Sequence, residues 1–208
     1  MIKCGRPRKG EELQSRDRLL DTALSLFLEY GYGNLSLETI AKDAHVSMRT
    51  IYSQFGGKAG LFGALIRRCS DQFVSDLSVD QVLARSPEEA LASFARQFLY
   101  SITRPDVVRI RAILIGESPR FPDLATQFYE QGPQRTLVHL AQFFAKQQQA
   151  GYFTEADPHF LAEQLLSALR GERVLKLQLG LEPTPDAAEI DVWVRQAIGL
   201  FLHGCLKK

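Results

Sequence analysis

A short stretch of the chain carries side chains that match the hydrogen-bonding edges of DNA bases. Arg49 offers a fork-shaped donor that can bond guanine through two hydrogen bonds, and Thr50 and Ser53 add small hydroxyls. Tyr52 supplies an aromatic ring with a polar tip, and Ile51 lies on the opposite, apolar side of the same helical pattern. This combination is typical of a helix that lies in the major groove, with an ordinary polar surface helix as the alternative.

Two successive helix caps predict the elements that position these side chains. Ser36 and Ser47 are good N-cap residues, and each follows an apolar residue. An isoleucine comes four residues after each serine, at Ile40 and Ile51, which completes the spacing of a hydrophobic staple twice. The repetition predicts a short helix, a turn and a second helix, which is a helix-turn-helix over residues 36–55.

Residues Leu19–Leu65 resemble the DNA-binding region of TetR-type (TetR/AcrR-like) transcriptional regulators, most clearly in the run "LSLETIAKDAHVSMRTIYSQFGGKAGLF". The resemblance joins "IA", "A-x-V-S", "IY", "F" and "K-x-x-L" in one register, and it implies that Tyr52 and Lys58 bind the phosphate backbone. A lysine in a first helical turn opposes the helix dipole, so we expect its ammonium and the free N–H groups to face a phosphate.

The sequence departs from the family pattern at two places. His45 occupies the turn where the family usually has glycine, and we expect the turn to form because histidine tolerates a positive φ. Ala59 and Gly60 follow the lysine where the family favours an acidic residue. Gly60 and Gly63 each cost about 1 kcal/mol of helix stability relative to alanine.

A basic segment precedes the helix-turn-helix, because residues 1–9 contain four Lys and Arg and no acid. Such a segment is either a solvated tail or an arm that enters the minor groove. We predict an arm over residues 1–14 that is disordered when free and ordered on DNA. Together the predicted DNA contacts are Arg6, Arg8, Ser36, Thr39, Ser47, Arg49, Thr50, Tyr52, Ser53 and Lys58.

Charge is distributed unevenly along the 208 residues. Residues 1–68 carry 11 Lys and Arg against 7 Asp and Glu, and the other 140 residues carry 14 against 17. A basic front and a mildly acidic rear suit a nucleic-acid-binding head on a body with another task. The three cysteines are far apart, so neither a disulfide framework nor a metal site is predicted. No apolar leader or membrane-length run is present, and we expect a cytoplasmic protein without a cofactor.

The remaining sequence predicts helices throughout. Cap-plus-proline starts occur at Ser86-Pro87, Asp157-Pro158 and Thr184-Pro185, and no segment alternates with period two. We expect the first helix at residues 15–30, capped by Ser15 and with Tyr30 in its buried stripe, and a helix break at Gly132-Pro133. The fold class is therefore all-α, with a three-helix helix-turn-helix head at residues 1–57 and a helical-bundle body at residues 58–208.

The last helix is apolar on more than one face, which indicates either a central position or an interface. Because a short recognition helix reads few bases, a two-fold dimer on a palindromic operator is expected. The resemblance implies that the last two helices of each subunit build this interface. Its predicted residues are Leu165, Leu169, Ile190, Trp193, Val194, Ala197 and Phe201.

Charged residues within one apolar helix suggest a site in the body. Arg109, Arg111 and Glu117 lie among apolar neighbours, where they either line a pocket for a polar ligand or form an internal salt bridge. The segment "PRFPDLATQFYEQGP" also resembles the ligand-binding body of one TetR subgroup. The predicted effector pocket comprises Arg109, Arg111, Phe128, His139 and Phe143.

These features predict a transcriptional repressor that binds double-stranded DNA as a homodimer and is released by a small-molecule effector. An activator, or a repressor without an effector, is the alternative within gene regulation. A helical enzyme or carrier with a vestigial head is the alternative outside it. The sequence contains none of H-E-x-x-H, G-x-S-x-G and G-x-G-x-x-G, so we do not expect an enzyme.

Overall fold

The computed structural model describes residues 9–74 and 86–205, with side chains described for residues 14–71 and 86–204. Over these ranges the chain folds into helices and contains no strand, which confirms the all-α prediction. None of the described helices combines the length and apolarity needed to span a bilayer. Arg6 and Arg8, and the predicted end of the fourth helix near Leu77, lie outside the described residues.

In chain order the helices are α1 Lys9–Tyr30, α2 Leu37–Asp43, α3 Met48–Phe55, α4 Lys58–Val74, α5 Pro87–Thr103, α6 Pro105–Glu117, α7 Pro122–Tyr129, α8 Arg135–Gln149, α9 Pro158–Gln178 and α10 Ala187–Cys205, with a π-helical turn at Glu130–Gln134 between α7 and α8.

The chain forms two compact units. The first runs to Leu65 and includes Ile113–Gln127, and the second comprises Ile66–Ala112 and the chain from Phe128 onward. This division groups residues by their contacts. The functional division into a head at residues 1–57 and a body at residues 58–208 stays a prediction.

The core of the first unit forms around α1. Leu19, Ala23 and Phe27 are buried along one stripe, as predicted, but Tyr30 is 48% exposed and does not belong to it. The chain turns at Gly31, where φ is +77°, and the ring of Tyr32 stacks on Phe27 with centroids 5.7 Å apart. Tyr32 therefore takes the buried place that was predicted for Tyr30.

The start of α1 also differs from the prediction. The helix begins at Lys9, so Ser15 lies inside it and is not its N-cap. No proline lies between Lys9 and Ser15, so nothing in the sequence stops the helix from starting before Ser15. The helix consequently takes in residues that were expected to belong to the basic arm.

The second unit has an aromatic and aliphatic core. Phe94 and Phe98 stack with centroids 5.6 Å apart, and Phe144 and Phe153 meet edge to face at 5.2 Å. A capping box starts α5, since Glu89 N–H donates to Ser86 Oγ at 3.2 Å and the Glu89 carboxylate accepts from the Ser86 N–H. This confirms the start predicted there.

Two other predicted helix signals are wrong. Asp186 and Glu189 form the capping box before α10, so the helix begins after Thr184-Pro185 and not at that pair. The chain also continues through Gly132-Pro133 in a π-helical turn. Because proline lacks an N–H group, the wider turn accommodates it where an α-helical turn would leave a bond unmade.

The residues predicted for a dimer interface are mostly buried within their own chain. Leu165, Leu169, Ile190, Trp193 and Val194 belong to the core of the second unit and are at most 7% exposed. Ala197 and Phe201 are half-buried and pack against the same core. An apolar stripe shows that a helix face is buried, but here the cover comes from the protomer's own helices.

Gly60 lies where a side chain has no room. A Cβ added there would overlap the backbone carbonyl of Phe55, whereas a Cβ added at Gly116 on α6 would meet nothing within 4 Å. Backbone atoms cannot yield as a flexible side chain can. Gly60 is therefore required by the close approach of α4 to the end of α3.

We expect Gly60→Ala to lower the free energy of unfolding by roughly 1–3 kcal/mol, because overpacking outweighs the gain in helix propensity. Gly116→Ala is the matched control and should raise it by about 0.5–1 kcal/mol. Urea unfolding of the two variants measures both effects. Equal stabilisation by the two substitutions would contradict the steric argument.

Candidate nucleic-acid interface

The two serine caps form as predicted. The Ser36 hydroxyl accepts the Thr39 N–H at 3.1 Å, and the Ser47 hydroxyl accepts the Thr50 N–H at 3.0 Å. Each serine oxygen also lies within hydrogen-bonding distance of its threonine hydroxyl, at 3.1 Å and 2.8 Å respectively. In this structure the four hydroxyls are engaged in starting α2 and α3, and their predicted contact with DNA stays untested.

The turn between α2 and α3 closes around His45. Its φ is +55°, which confirms that histidine adopts the left-handed conformation in place of glycine. The Val46 N–H reaches back to the Ala41 carbonyl at 2.9 Å, in the six-to-one pattern of a Schellman motif. The turn thus satisfies the last carbonyls of α2 and directs the chain into α3.

The outer face of α3 consists of Arg49, Tyr52 and Ser53. All three are exposed, with Tyr52 at 56%, and they occupy positions i, i+3 and i+4 of one helical face. Ile51, on the opposite side, is completely buried. We call Arg49, Tyr52 and Ser53 the α3 face.

Other side chains hold the end of α3. The Arg16 guanidinium of α1 lies 5.6 Å from the centre of the Phe55 ring. Gly56 ends the helix in the left-handed conformation, with φ at +75°, and its N–H donates to the Tyr52 carbonyl at 2.9 Å. These contacts set the direction in which the α3 face points.

Glu117 at the end of α6 fastens the loop between α1 and α2. Its carboxylate oxygens accept the backbone N–H groups of Tyr32 at 2.8 Å and Gly33 at 2.5 Å. The internal salt bridge considered for Glu117 is therefore not its described role. Its charge is met by two backbone donors, an arrangement that is strong because the acceptor is ionised.

Lys58 holds the same loop through its carbonyls. The ammonium donates to the Tyr32 and Leu35 carbonyls at 2.7 Å and 2.8 Å and lies 4.4 Å from the centre of the Tyr32 ring. Burial lowers the pKa of this lysine, and the nearby Glu117 carboxylate opposes that effect. In this structure the ammonium donates to two loop carbonyls and does not face outward toward a phosphate as expected, and the predicted contact with DNA stays a prediction.

Tyr32 is the centre of this arrangement. It is 4% exposed and meets the rings of Phe62 and Phe121 edge to face at 5.9 Å and 5.3 Å. Burial raises the pKa of its hydroxyl to about 12, and the charges of Asp123 and Glu117 add to the rise. The loop before α2 is thus anchored both by ring packing and by charge-assisted hydrogen bonds.

Family comparisons agree with this geometry. Residues 19–65 match the family described as "Bacterial regulatory proteins, tetR family", and residues 89–204 match "AefR-like transcriptional repressor, C-terminal domain". The second match alone spans more than half of the chain. The chain belongs to the TetR family of transcriptional regulators.

Individual relatives extend the comparison. The Flavonoid-responsive Regulator FrrA is 36% identical with a TM-score of 0.72, over 94% of this chain and 98% of that one. A putative TetR-family regulator from Mesorhizobium loti MAFF303099 has a TM-score of 0.76 at 24% identity, with coverage of 94% and 98%, and shows the same fold. The transcriptional repressor ComR of Escherichia coli (strain K12) is 31% identical over 49% of this chain and 47% of its own length. The chain spans about half the length of the curated relatives that it matches.

The five residues predicted for an effector pocket lie in different surroundings. Phe143 is buried against Phe144 and Phe153, while Arg109 is exposed and Arg111 is half-buried. Two residues apart on a helix cannot share a face, which separates the two arginines. Phe128 and His139 are half-buried, and burial and the charge of Arg135 lower the pKa of His139.

Sequence reasoning missed the positioning roles of Tyr32 and Glu117. Glu117 was singled out as a charge among apolar residues, which was a valid signal, but its partners lie 84 and 85 residues away in the chain. Tyr32 follows Gly31 in a segment without periodic pattern, and nothing in its neighbours indicates burial. An apolar stripe on a helix indicates that the face is buried, but it does not identify a partner residue that is distant in the sequence.

We expect Glu117→Ala to lower the free energy of unfolding by roughly 1–3 kcal/mol, because two backbone N–H groups lose their acceptor. Glu117→Gln should fall between alanine and wild type, since the amide accepts less strongly than a carboxylate. Glu155→Ala, at an exposed position, is the control. Urea unfolding gives the stabilities, and a loss for Glu117→Ala no larger than for Glu155→Ala would rule out the clamp.

Proposed function

We propose that this protein is a transcriptional repressor that binds a palindromic operator as a homodimer and releases it when a small molecule binds the second unit. The observation that carries the proposal is the α3 face, where Arg49, Tyr52 and Ser53 are exposed together on a capped helix. A helix of this kind presents its first residues to base edges in the major groove. The direct test is binding of the purified protein to the DNA upstream of its own gene, with a scrambled duplex as control.

Arg49 is the proposed base-contacting residue. It is exposed at the second position of α3, and its fork can bond guanine O6 and N7 together. Tyr52 lies one turn further along the same face and is proposed to contact the phosphate backbone. The roles proposed for Ser36, Thr39, Ser47 and Thr50 rest on their position at the two helix starts, where exposed N–H groups favour phosphate.

Lys58 now has a different proposed role from Arg49. With its ammonium on two loop carbonyls, we propose that it positions α2 and α3 and does not neutralise a phosphate in the complex. A residue that positions the interface weakens every complex alike by reducing the folded fraction. It does not change the number of counterions that DNA binding releases.

Dimerisation is proposed through the outer surface of α9 and α10. Leu175 on α9, Leu179 directly after that helix, and Val192 and Leu200 on α10 are all exposed, and Leu200 is 80% exposed. These residues replace the buried set that the sequence predicted for the interface. A second copy of the chain would cover them and would set two α3 faces at the spacing of operator half-sites.

Release by an effector is proposed as a two-state mechanism. A ligand that binds one spacing of the paired α3 faces better than the other shifts the population away from the DNA-competent form. The proposed route is α6, because this single helix carries Arg111 and, at its last residue, Glu117. In support, FrrA is named a flavonoid-responsive regulator, and a further solved structure of the same fold is the SmeT–triclosan complex.

Substitution of Arg49 and Lys58 should separate the two roles. We expect Arg49→Ala to cost about 1–3 kcal/mol on the operator and much less on scrambled DNA. Lys58→Met should lower protein stability and weaken binding to both duplexes alike. The slope of the logarithm of the DNA-binding constant against the logarithm of the salt concentration should stay unchanged. Binding of each variant to both duplexes across a salt series is the measurement. Equal losses on both duplexes for Arg49→Ala, or a shallower slope for Lys58→Met, would reverse the assignment.

Two neighbouring substitutions on α10 should separate assembly from folding. Leu200→Glu changes an exposed side chain and should dissociate the dimer while the helices remain folded. Phe201→Glu places a charge against Phe144, 5.6 Å away in the core, and should unfold the second unit. Light scattering and circular dichroism report the two effects. A wild-type mass near 23.4 kDa at micromolar concentration would refute the dimer.

A further inference from the structure

Arg170 on α9 is a half-buried arginine, and none of the described residues provides a hydrogen-bond acceptor for its Nε. Its Nε is inaccessible to solvent and has no hydrogen-bond partner, and its guanidinium lies 5.6 Å from the centre of the Phe98 ring. An unpaired N–H of a charged group, withdrawn from water, is costly and uncommon in folded proteins. Its presence calls for an acceptor that the described residues do not provide.

A second arginine adds to the positive charge at this place. Burial lowers the pKa of Arg111, and the pKa of Arg170 is lowered by burial and then by the charge of Arg111. Among the described side chains, no carboxylate is bonded to either of them. Arg135 in the same unit differs, because it pairs with Asp71 at 2.7 Å. The charge of Arg111 thus acts on Arg170, and neither arginine is paired with a carboxylate of the described residues.

The backbone next to Arg170 is unusual as well. Gly171 has φ at +34° and ψ at −167°, and it bends α9 directly after the arginine. Residues other than glycine rarely adopt this backbone conformation, and residues that do adopt it cluster at ligand-binding sites and switch regions. The bend is an observation independent of charge, and it determines where α9 presents Arg170.

We infer that Arg111 and Arg170 bind the anionic group of the effector, and that the effector is a carboxylate on an apolar body that lies toward Phe98. This inference rests on the proposed function for the existence of an effector and adds its chemical class. A carboxylate accepts two parallel N–H bonds from a guanidinium, and one anion between two arginines relieves their repulsion. The core around Phe98 is apolar, which suits the uncharged part of such a molecule.

The test compares acids with their neutral amides on the purified full-length protein. Decanoate and decanamide, and cinnamate and cinnamamide, are titrated while thermal unfolding and binding are followed, with inorganic phosphate as an anion that lacks an apolar body. We expect at least one carboxylate to bind about tenfold more tightly than its amide, a difference that corresponds to about 1.4 kcal/mol. Inorganic phosphate should bind more weakly than that carboxylate. No preference for either acid in the wild type would overturn the inference.

Variants locate the preference. Arg111→Met and Arg170→Met keep most of the side-chain volume and should abolish the difference between acid and amide. Arg96→Met is the matched control, because Arg96 is paired with Asp191 at 2.7 Å and is partly exposed. Survival of the preference in both methionine variants at positions 111 and 170 would overturn the inference, as would its loss in Arg96→Met.

Stability without ligand provides a second readout. Replacement of an unpaired, half-buried charge by an apolar side chain removes a repulsion, so Arg170→Met should unfold at a higher temperature than the wild type. A lower unfolding temperature would mean that Arg170 has a structural partner, which contradicts the inference. Arg111→Met provides the same comparison if the substitution at Arg170 disturbs the packing on Phe98.

DNA binding by the same preparation separates this inference from the proposed function. Operator binding together with no acid preference rejects the carboxylate site alone. An acid preference that depends on both arginines, without binding to any upstream duplex, rejects the regulator and leaves the site. Operator affinity that falls when the preferred acid is added supports both.

Discussion

Two oppositely charged side chains hold the loop between α1 and α2 by its backbone. Glu117 accepts the N–H groups of Tyr32 and Gly33, and Lys58 donates to the carbonyls of Tyr32 and Leu35. Irregular backbone is thereby satisfied without a strand or helix. The helix-turn-helix depends on this, because α2 and α3 have 7 and 8 residues and helices so short are not stable alone.

The same loop explains why charge is tolerated inside an aromatic cluster. The Lys58 ammonium lies over the Tyr32 ring, while Tyr32 packs on Phe27 and Phe62, so ring faces and carbonyls replace the water that the ammonium loses. A division of labour follows. Lys58 and Glu117 are engaged inside the first unit, and Arg49 on the α3 face stays exposed to solvent, where DNA can reach it.

The second unit uses its charges differently. Its core takes up the apolar stripes of α5, α8, α9 and α10, and Arg96 and Arg135 are paired with carboxylates. Arg111 and Arg170 are withdrawn from water without such a partner in the described residues. This pair stands out because Arg96 and Arg135 are paired with carboxylates and Arg111 and Arg170 are not. Two half-buried arginines without a partner lower the stability of the protein, so their presence points to a role other than stability.

Local signals in the sequence determined the helical class, the caps at Ser36 and Ser47, the turn at His45 and the exposed face that carries Arg49. Each of these rests on hydrogen bonds or packing within a few residues, so the identities of residues adjacent in the sequence are enough to predict it. Only the tertiary structure decided that Glu117 and Lys58 grip one loop and that Leu165 and Trp193 lie inside the protomer. A periodic stripe shows that a face is buried but not what covers it. Glu117 lies 85 and 84 residues along the chain from the two N–H groups that it accepts, and Lys58 lies 26 and 23 residues from its two carbonyls, so no local pattern pairs them.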